Sequence, residues 1–317
     1  MEHGGDIGMV GLGLMGSAMS ARLLAAGHGV HGFDVAAAAR DAHAARGGTL
    51  APDAAGVAAH CGLVILSLPN GAVLREVCLG SGALLETVAA GGVIIDTTVS
   101  PPALVVEIAQ RFATVGATYL DVGISGNSAM VLRGEGLAVV GGDLDAAPRA
   151  TGALSAICRE VRHVGTSGDG VRAKLVINHV LQLHRLALAE GLVFAEALGI
   201  DGGAALSFLQ ASAAYSRAMD AWGPRMVARD YQPPASRVAN SNKDLQLILG
   251  LARDVGAPTP ALNQGDLVMR AMLANGLGDA DNAVIAEMLR ALAGFGDLAA
   301  AAAPTAPAPP TAPAGPA

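Results

Sequence analysis

A glycine-rich loop between a short apolar run and a helical segment is the feature that most constrains how this chain can fold. Ile7-Gly8-Met9-Val10 runs directly into Gly11-Leu12-Gly13-Leu14-Met15-Gly16, and the residues from Ser17 to Ala26 have helical composition. The first glycine permits a tight turn, the second lets another molecule approach the backbone, and the third lets the helix pack closely on the strand. The pattern predicts a strand–turn–helix unit that can bind a pyrophosphate at the helix N-terminus.

An acidic residue, Asp34, follows the second predicted strand, which runs from Gly29 to Phe33. A carboxylate there accepts hydrogen bonds from both ribose hydroxyls of a dinucleotide and repels a 2′-phosphate. The next arginine is Arg40, so no guanidinium follows within five residues to bind that phosphate. We therefore expect NAD as the cofactor in preference to NADP. The alternative is a strand–turn–helix without a ligand, because glycine is common here, at 42 of 317 residues.

Short apolar runs alternate with helical patterns through the first half of the chain. This alternation predicts βαβ units, a mostly parallel sheet and an α/β, Rossmann-like, doubly wound N-terminal domain. Strand signals stop near residue 165, and an all-α C-terminal domain follows. We expect a cofactor domain over residues 1–164, a helical domain with a long interdomain helix over 165–298, and a disordered Ala/Pro tail over 299–317. The later predicted strands are Leu63–Ser67, Gly92–Asp96, Thr118–Val122 and Leu137–Val140.

Composition excludes several classes of partner and site. The net charge of −7, without a Lys/Arg cluster, argues against a nucleic-acid partner. Charged residues interrupt every apolar stretch before membrane-spanning length, and no signal peptide is evident, so we expect a cytoplasmic protein without membrane contact. The histidines lack metal-ligand spacing, so no metal site is predicted. The three cysteines, Cys61, Cys78 and Cys158, are expected to be buried thiols.

Polar loops follow the later strands, where a doubly wound sheet forms its ligand crevice. Leu68-Pro69-Asn70 and Thr97-Thr98 each leave a predicted strand. The segment from Asp121 to Ser125-Gly126-Asn127 leaves another, and its serine hydroxyl and following backbone N–H groups are suited to a small carboxylate. Each loop taken alone also fits an ordinary turn.

Lysine is rare in this chain, since eighteen of its twenty fixed positive charges are arginine and only Lys174 and Lys243 are lysine. A desolvated lysine can give up its proton, whereas arginine cannot. Lys174 and Asn178 are four residues apart on a predicted helix and share one face, which suits general acid–base work. Gly168 and Gly170 would let the backbone before that helix pack against a flat ring. The alternatives are lysines retained by drift, or a lysine reaching solvent from a buried helix.

Together these motifs resemble the β-hydroxyacid dehydrogenase family, which includes 3-hydroxyisobutyrate dehydrogenase, tartronate semialdehyde reductase and 6-phosphogluconate dehydrogenase. The resemblance covers residues 6 to 295. It implies reversible hydride transfer between NAD and a small carboxylate-bearing 3-hydroxy acid or its semialdehyde. It also implies residue roles: Lys174 is catalytic, Ser125, Gly126 and Asn178 bind substrate, and Lys243 and Thr98 lie near the cofactor.

The chain departs from the family pattern at three places. Asn127 replaces a second glycine, and we still expect it to contact the substrate carboxylate. Ile177 stands where a polar residue that touches substrate is common. The segment from Asp96 to Pro101 is one residue short, so Thr97 is an alternative to Thr98.

Two rival functions stay open at this stage: an imine reductase of the same superfamily, which typically lacks the lysine, and a non-catalytic NAD-binding regulator.

The helix from Arg172 to Leu198 is apolar almost all round, so we expect a partner subunit to shield it in a homodimer or homotetramer.

Overall fold

A computed structural model describes residues 5–302 of the chain. Within them, the N-terminal half forms an eight-stranded sheet flanked by helices, in the strand order β3-β2-β1-β4-β5-β6-β7-β8. Neighbouring strands from β3 through to β6 are parallel, whereas β7 runs antiparallel to β6. The strands are β1 Ile7–Val10, β2 Val30–Phe33, β3 Thr49–Leu50, β4 Leu63–Leu66, β5 Val93–Asp96, β6 Thr118–Ser125, β7 Gly136–Gly141 and β8 Cys158–Gly165.

This topology confirms the predicted doubly wound sheet and adds two strands at its edges. β3 has only two residues, both exposed, so it carries no apolar run. β8 has the sequence CREVRHVG, in which charged residues interrupt the apolar ones. Charged side chains are common on edge strands, where they discourage pairing with other chains. The apolar-run criterion therefore missed both edge strands.

Helices cover both faces of the sheet because its central strands are buried on both sides. Alternate residues of β4 enter different hydrophobic clusters: Leu63 and Ile65 join one, and Val64 and Leu66 join the other. Fully buried parallel strands read as continuous apolar runs for this reason. The helices of the first half are α1 Leu14–Ala25, α2 Ala37–Ala45, α3 Ala54–His60, α4 Gly71–Leu79, α5 Leu84–Thr87, α6 Pro102–Thr114, α7 Ser128–Leu132 and α8 Pro148–Ile157.

From residue 169 onward the described chain is helical, as predicted. Short 3₁₀ turns lie at Leu277–Asp279 and Asn282–Val284. No helix among residues 5–302 is long and apolar enough to cross a membrane. The helices are α9 Asp169–Ala197, α10 Gly202–Ala211, α11 Arg217–Ala228, α12 Val238–Asp254, α13 Pro260–Ala274, α14 Ile285–Leu292 and α15 Leu298–Ala302.

The described chain divides into two compact units, and the division differs from the domain boundary expected at residue 164. The first unit runs to Val180 and includes Lys243–Thr259, and the second comprises Leu181–Asn242 and the residues from Pro260 onward. The first turns of α9 thus belong with the sheet. The first residues of the predicted tail over 299–317 are helical, because α15 extends to Ala302 and alanine has the highest helix propensity. The rest of that tail lies outside the described residues.

A buried ionic network holds helices of the second unit together. The guanidinium of Arg290, on α14, is fully buried and donates to both carboxylate oxygens of Glu196 at 2.7 and 2.6 Å. It also donates to the Tyr231 hydroxyl at 3.2 Å and to the Glu287 carboxylate at 3.1 Å. Burial of a charge is tolerated when it is paired and hydrogen-bonded in this way.

Candidate active site

The glycine loop after β1 has the geometry of a pyrophosphate site. Gly11 has a φ of +92°, and a β-carbon there would collide with the carbonyl oxygen of Ser67. A β-carbon at Gly16 would collide with the carbonyl of Gly11, whereas the space beside Gly13 is open. The N-terminus of α1 has no side-chain cap and no acidic residue in its first turn, so its N–H groups are free to bind an anion. Leu12 is buried beneath this loop, and Leu14 and Met15 form the first turn of the helix.

Asp34 closes the far side of this loop. Its carboxylate accepts a hydrogen bond of 2.7 Å from the Leu12 backbone N–H and one of 2.8 Å from that of Ala36. Arg40 folds back to the same place, because its guanidinium donates to the backbone carbonyls of Asp34 at 2.7 Å and of Val35 at 3.1 Å. The sequence argument considered only arginines within five residues of Asp34, and the structure shows that Arg40, the next one, contacts the Asp34 backbone. The negative charge of Asp34 remains in place.

The loops after β4 and β5 are joined by their own hydrogen bonds. The Leu68 backbone N–H donates to the Thr98 hydroxyl at 3.1 Å, and the Thr97 hydroxyl donates to the Leu66 carbonyl at 2.7 Å. Asn70 caps α4 by accepting from the Val73 N–H at 3.0 Å, while Pro69 is exposed. The structure thus places Leu68 to Asn70 beside Thr98 at the carboxyl edge of the sheet.

Asp96, the last residue of β5, holds the loop that contains Thr98 in place. Its carboxylate accepts from the Thr98 backbone N–H at 2.9 Å and from the Tyr119 hydroxyl at 2.6 Å. Burial raises the pKa of this carboxyl to about 6, although its hydrogen bonds oppose the shift.

A second buried aspartate, Asp121 on β6, holds the start of α9. Its carboxylate accepts hydrogen bonds of 2.8 Å from the backbone N–H groups of Gly168 and Val171. The helix lies directly on the strands here, since a β-carbon at Gly170 would collide with the Asp121 carbonyl. At Gly168 a β-carbon would press on the Val106 side chain. Protein atoms occupy the place of a β-carbon at both glycines, so their lack of a side chain lets α9 lie on the sheet, while the packing of their backbone against a flat ring stays a prediction.

Lys174 lies one turn further along α9, against Gly123 of β6. It lines a narrow crevice together with the loop after β5 and the strand β6. Burial lowers the pKa of the Lys174 amine to about 8, with Asp244 opposing the shift and Lys243 reinforcing it. No hydrogen bond within residues 5–302 occupies this amine. The crevice is lined by Thr97, Thr98, Val99, Asp121, Val122, Gly123, Val171 and Lys174.

Helix α12 brings Lys243 and Asp244 to the same unit. The Lys243 amine donates to the Val99 carbonyl at 2.8 Å and lies 3.3 Å from a carboxylate oxygen of Asp244. The other oxygen of Asp244 accepts a hydrogen bond of 2.9 Å from the Asn178 side-chain amide. Asn178 is buried and is therefore held in place by Asp244.

The predicted carboxylate loop begins where β6 ends. Ser125 is two residues past Gly123 and points to the same face of the strand, the face on which Lys174 lies. Four helical residues advance about 6 Å and two strand residues about 6.6 Å, so Asn178 reaches the level of Ser125 as Lys174 reaches that of Gly123. Gly126 has a φ of +141°. Asn127 caps α7, because its side-chain oxygen accepts from the Met130 N–H at 2.9 Å, which leaves its amide nitrogen for other contacts.

Sequence reasoning missed four residues of this site. Asp121 and Gly123 precede Ser125 and Gly126 in the same motif, but the sequence analysis gave a role only to the residues from Ser125 onward. Asp244 follows Lys243 and was given no role. Arg40 was set aside because of its distance along the chain. Buried acidic residues at strand ends were the available signal for Asp121. No group of His, Cys, Asp or Glu side chains suited to a metal ion occurs in the described part of the chain.

Comparisons with known proteins agree with this geometry. A family model described as the NAD binding domain of 6-phosphogluconate dehydrogenase matches residues 6–165. A second, described as NAD-binding of NADP-dependent 3-hydroxyisobutyrate dehydrogenase, matches residues 168–289. The chain belongs to the β-hydroxyacid dehydrogenase family. This membership of an NAD-dependent oxidoreductase family confirms the predicted fold class and cofactor class. The roles of the individual site residues stay predictions.

Individual relatives of this β-hydroxyacid dehydrogenase match over nearly their whole length. The 3-sulfolactaldehyde reductase of Escherichia coli (strain K12) is 30% identical, over 91% of this chain and 97% of its own. The structure of Mycobacterium tuberculosis 3-hydroxyisobutyrate dehydrogenase with L-serine is 28% identical with a TM-score of 0.78, and covers 90% of this chain and 99% of that one. An imine reductase from Pseudomonas sp. has a TM-score of 0.60 at 21% identity, over 91% and 99% of the two chains, which shows a shared fold alone.

Proposed function

We propose that this chain catalyses reversible hydride transfer between NAD and a small 3-hydroxy acid or its semialdehyde, with Lys174 as the general acid and base. The observation that carries the proposal is the Lys174 amine in its crevice at the carboxyl edge of β5 and β6, with its pKa lowered to about 8. A useful base near neutral pH needs a pKa of roughly 7–8, against about 10.4 for an unperturbed lysine.

Lys174 moves the proton that accompanies the redox step. In the oxidative direction its neutral amine takes the proton of the substrate hydroxyl, and in the reductive direction its ammonium returns that proton to the carbonyl oxygen. Bound NAD supplies the hydride acceptor, and its reduced form the donor. The surrounding crevice excludes bulk water from the amine, which is what lowers its pKa.

The residues that would hold NAD fit a dinucleotide. The uncapped N-terminus of α1 and the open space beside Gly13 suit a pyrophosphate, and the hydrogen bond of the Asp34 carboxylate to the Leu12 N–H of the same loop supports a role for Asp34 at the adenosine ribose. Leu68, Pro69, Asn70 and Thr98 extend the site along the sheet edge, and Lys243 lies beyond Val99. We infer a preference for NAD over NADP because Asp34 repels a 2′-phosphate, although Arg40 lies near the same position.

Ser125, Gly126, Asn127 and Asn178 are proposed to bind the substrate, with its carboxylate on the loop after β6. The similar advance of four residues along α9 and two along β6 supports Ser125 and Asn178 as neighbours one step beyond Lys174. Asn127 adds bulk and an amide to this loop, and Ile177 removes a hydrogen-bonding group next to Asn178, so a compact substrate is expected. We therefore expect no turnover of 6-phosphogluconate.

Two rival functions, an imine reductase and a regulator that only binds NAD, do not account for the lysine of this site. An imine reductase has the same fold but, in the family pattern, typically lacks the lysine that this chain keeps. A regulator that only binds NAD would need the glycine loop and Asp34, but no amine desolvated in a crevice. An imine reduced faster than any hydroxy-acid semialdehyde would favour the first rival.

The test is a screen of small 3-hydroxy acids with NAD, followed by the absorbance of the reduced cofactor. The panel should include 3-hydroxyisobutyrate, L-serine and sulfonated or carboxylated analogues, and the cyclic imines of the rival reaction. Lys174→Met serves as the matched control because it keeps the stem and removes the amine. Turnover that is equal in the parent and in Lys174→Met would sink the proposal.

We also propose that the chain forms a homodimer or homotetramer through a face of α9. Val176, Val180, Phe194 and Leu198 are all exposed, and their spacing places them within about 40° of one another around the helix. Light scattering of the parent should give a multiple of 31.4 kDa. Phe194→Glu should lower that mass, whereas Val255→Glu, which changes an equally exposed residue outside helices α9 and α12, should not. A parent that is monomeric at micromolar concentration would refute the proposal.

A further inference from the structure

Asp244 contacts two other polar residues of the lysine site. One carboxylate oxygen accepts from the buried Asn178 amide at 2.9 Å, and the other lies 3.3 Å from the Lys243 amine. The second oxygen is buried, and none of the described residues gives it a hydrogen bond of good geometry. The contact with Lys243 is therefore mainly electrostatic. The Lys243 amine donates its hydrogen bond to the Val99 carbonyl, in the loop that lines the Lys174 crevice.

These contacts give Asp244 an effect on three neighbours at once. It fixes the amide of Asn178, which is one helical turn from Lys174, and it holds the Lys243 amine toward the β5 loop. It also places a negative charge near Lys174, where Lys243 places a positive one. One Asp244 oxygen is buried, and burying a carboxylate oxygen is costly unless nearby charges compensate it.

We propose that Asp244 is a positioning residue that orders Asn178 and Lys243 around Lys174 and balances the charge of the Lys174 site. This deepens the proposed function, because it rests on Lys174 being the group that transfers the proton. Asp244 itself exchanges no proton with the substrate in this scheme. Its carboxylate stabilises the ammonium that forms when Lys174 accepts the hydroxyl proton, and so makes Lys174 a stronger base.

The sign of the effect follows from the charges that face Lys174. On α12 these are Asp244 and Lys243, and on β6 the carboxylate of Asp121 lines the same crevice. Asp244→Asn keeps an oxygen that can accept from Asn178 but removes the negative charge. The remaining positive charge of Lys243 then disfavours the Lys174 ammonium more strongly, so the Lys174 amine should titrate at lower pH. An opposite charge at close range typically changes such a midpoint by about one pH unit or more.

The two-lysine composition makes this measurable without any substrate. Protein grown with ¹³C,¹⁵N-lysine should give one Cε resonance set for Lys174 and one for Lys243, and Lys243→Arg assigns them. The Lys174 midpoint in Asp244→Asn should lie about one pH unit below that of the parent, a tenfold change in the proton-binding constant. Asp254→Asn, an exposed aspartate at the end of the same helix, should leave both midpoints unchanged.

Restoring the charge completes the test. Asp244→Glu should return the Lys174 midpoint toward that of the parent, and Asp244→Ser should reproduce the shift if Asp244→Asn does not fold. A Lys174 midpoint equal to that of the parent, in a folded variant without the carboxylate, would overturn the proposal. A shifted midpoint in an enzyme that oxidises no hydroxy acid would instead support the role of Asp244 and reject the proposed function.

Discussion

Gly123 and Lys174 lie so close that a β-carbon at Gly123 would be 2.5 Å from the β-carbon of Lys174. Real β-carbons do not approach so closely, and the obstructing atom belongs to the rigid start of the lysine side chain. The missing side chain on β6 is therefore what lets α9 lie on the strand at the level of its lysine. The position of the amine depends on this contact as much as on the helix that carries it.

Gly123→Ala should displace Lys174 and reduce kcat. Overpacking of this kind typically costs about 1–3 kcal/mol of stability, and a small misplacement of a reacting group can cost about a hundredfold in rate. Gly152→Ala is the matched control, because α8 offers open space at that position and alanine favours the helix. Thermal unfolding and kcat at saturating substrate check both variants. A Gly123→Ala enzyme with parental kcat would show that the close contact does not fix the amine.

Lys174→Arg should keep NAD binding and lose turnover. The arginine retains a positive charge and a long stem but cannot give up its proton, so we expect kcat to fall by roughly 10²–10⁴-fold. Lys243→Arg should affect KM more than kcat, since Lys243 bonds to the Val99 carbonyl and is proposed only to place charge. Steady-state kinetics of both variants decide between these outcomes. A Lys174→Arg enzyme within about fivefold of the parent would remove the amine from the mechanism.

The two directions of the reaction should have opposite pH dependence. The pKa of Lys174 is lowered to about 8, so the amine is mostly protonated below that pH and mostly neutral above it. Oxidation needs the neutral amine, and its kcat/KM should fall about tenfold per pH unit below pH 8. Reduction needs the ammonium, and its kcat/KM should fall above pH 8. Profiles of kcat/KM from pH 6 to 10 in both directions test this, and profiles with the same slope would contradict it.

Much of this site was predictable because its motifs are local. Gly11, Gly13 and Gly16 act within one turn, and Lys174 and Asn178 share a face through helical spacing alone. Asp34 follows the second predicted strand, so its position at the edge of the sheet could be predicted from that strand. The sequence also predicted the doubly wound sheet, since buried central strands are continuous apolar runs.

The remaining features depend on contacts between residues distant in sequence. Asp244 meets Asn178, 66 residues earlier in the chain, only because the part of α12 from Lys243 onward belongs to the first unit. The role of Gly123 depends on the helix that lies over it, and the sequence pattern of β6 does not indicate which helix that is. The edge strands β3 and β8 were missed because they bury too little surface to need an apolar run.

Replacing Asp34 should change the cofactor preference. The carboxylate repels a 2′-phosphate, while the Arg40 guanidinium already lies within hydrogen-bonding distance of the Asp34 and Val35 carbonyls. Asp34→Asn should therefore raise kcat/KM for NADP relative to NAD by about tenfold or more, since a buried like-charge contact costs several kcal/mol. The double variant with Arg40→Gln should gain less. A parent that uses NADP as well as NAD would contradict the assigned role of Asp34.

Arg290→Met should destabilise the second unit. The guanidinium is fully buried, and its loss would leave the buried Glu287 carboxylate without one of its partners. Breaking a buried ion pair by removing one member typically costs about 3–5 kcal/mol. The single tryptophan, Trp222, lies buried in this unit, so its fluorescence during urea unfolding reports the change directly. Arg75→Met is the control, because the Arg75–Glu107 pair is exposed and should contribute nothing measurable. Equal urea midpoints for both variants would show that the Arg290 network serves no stabilising purpose.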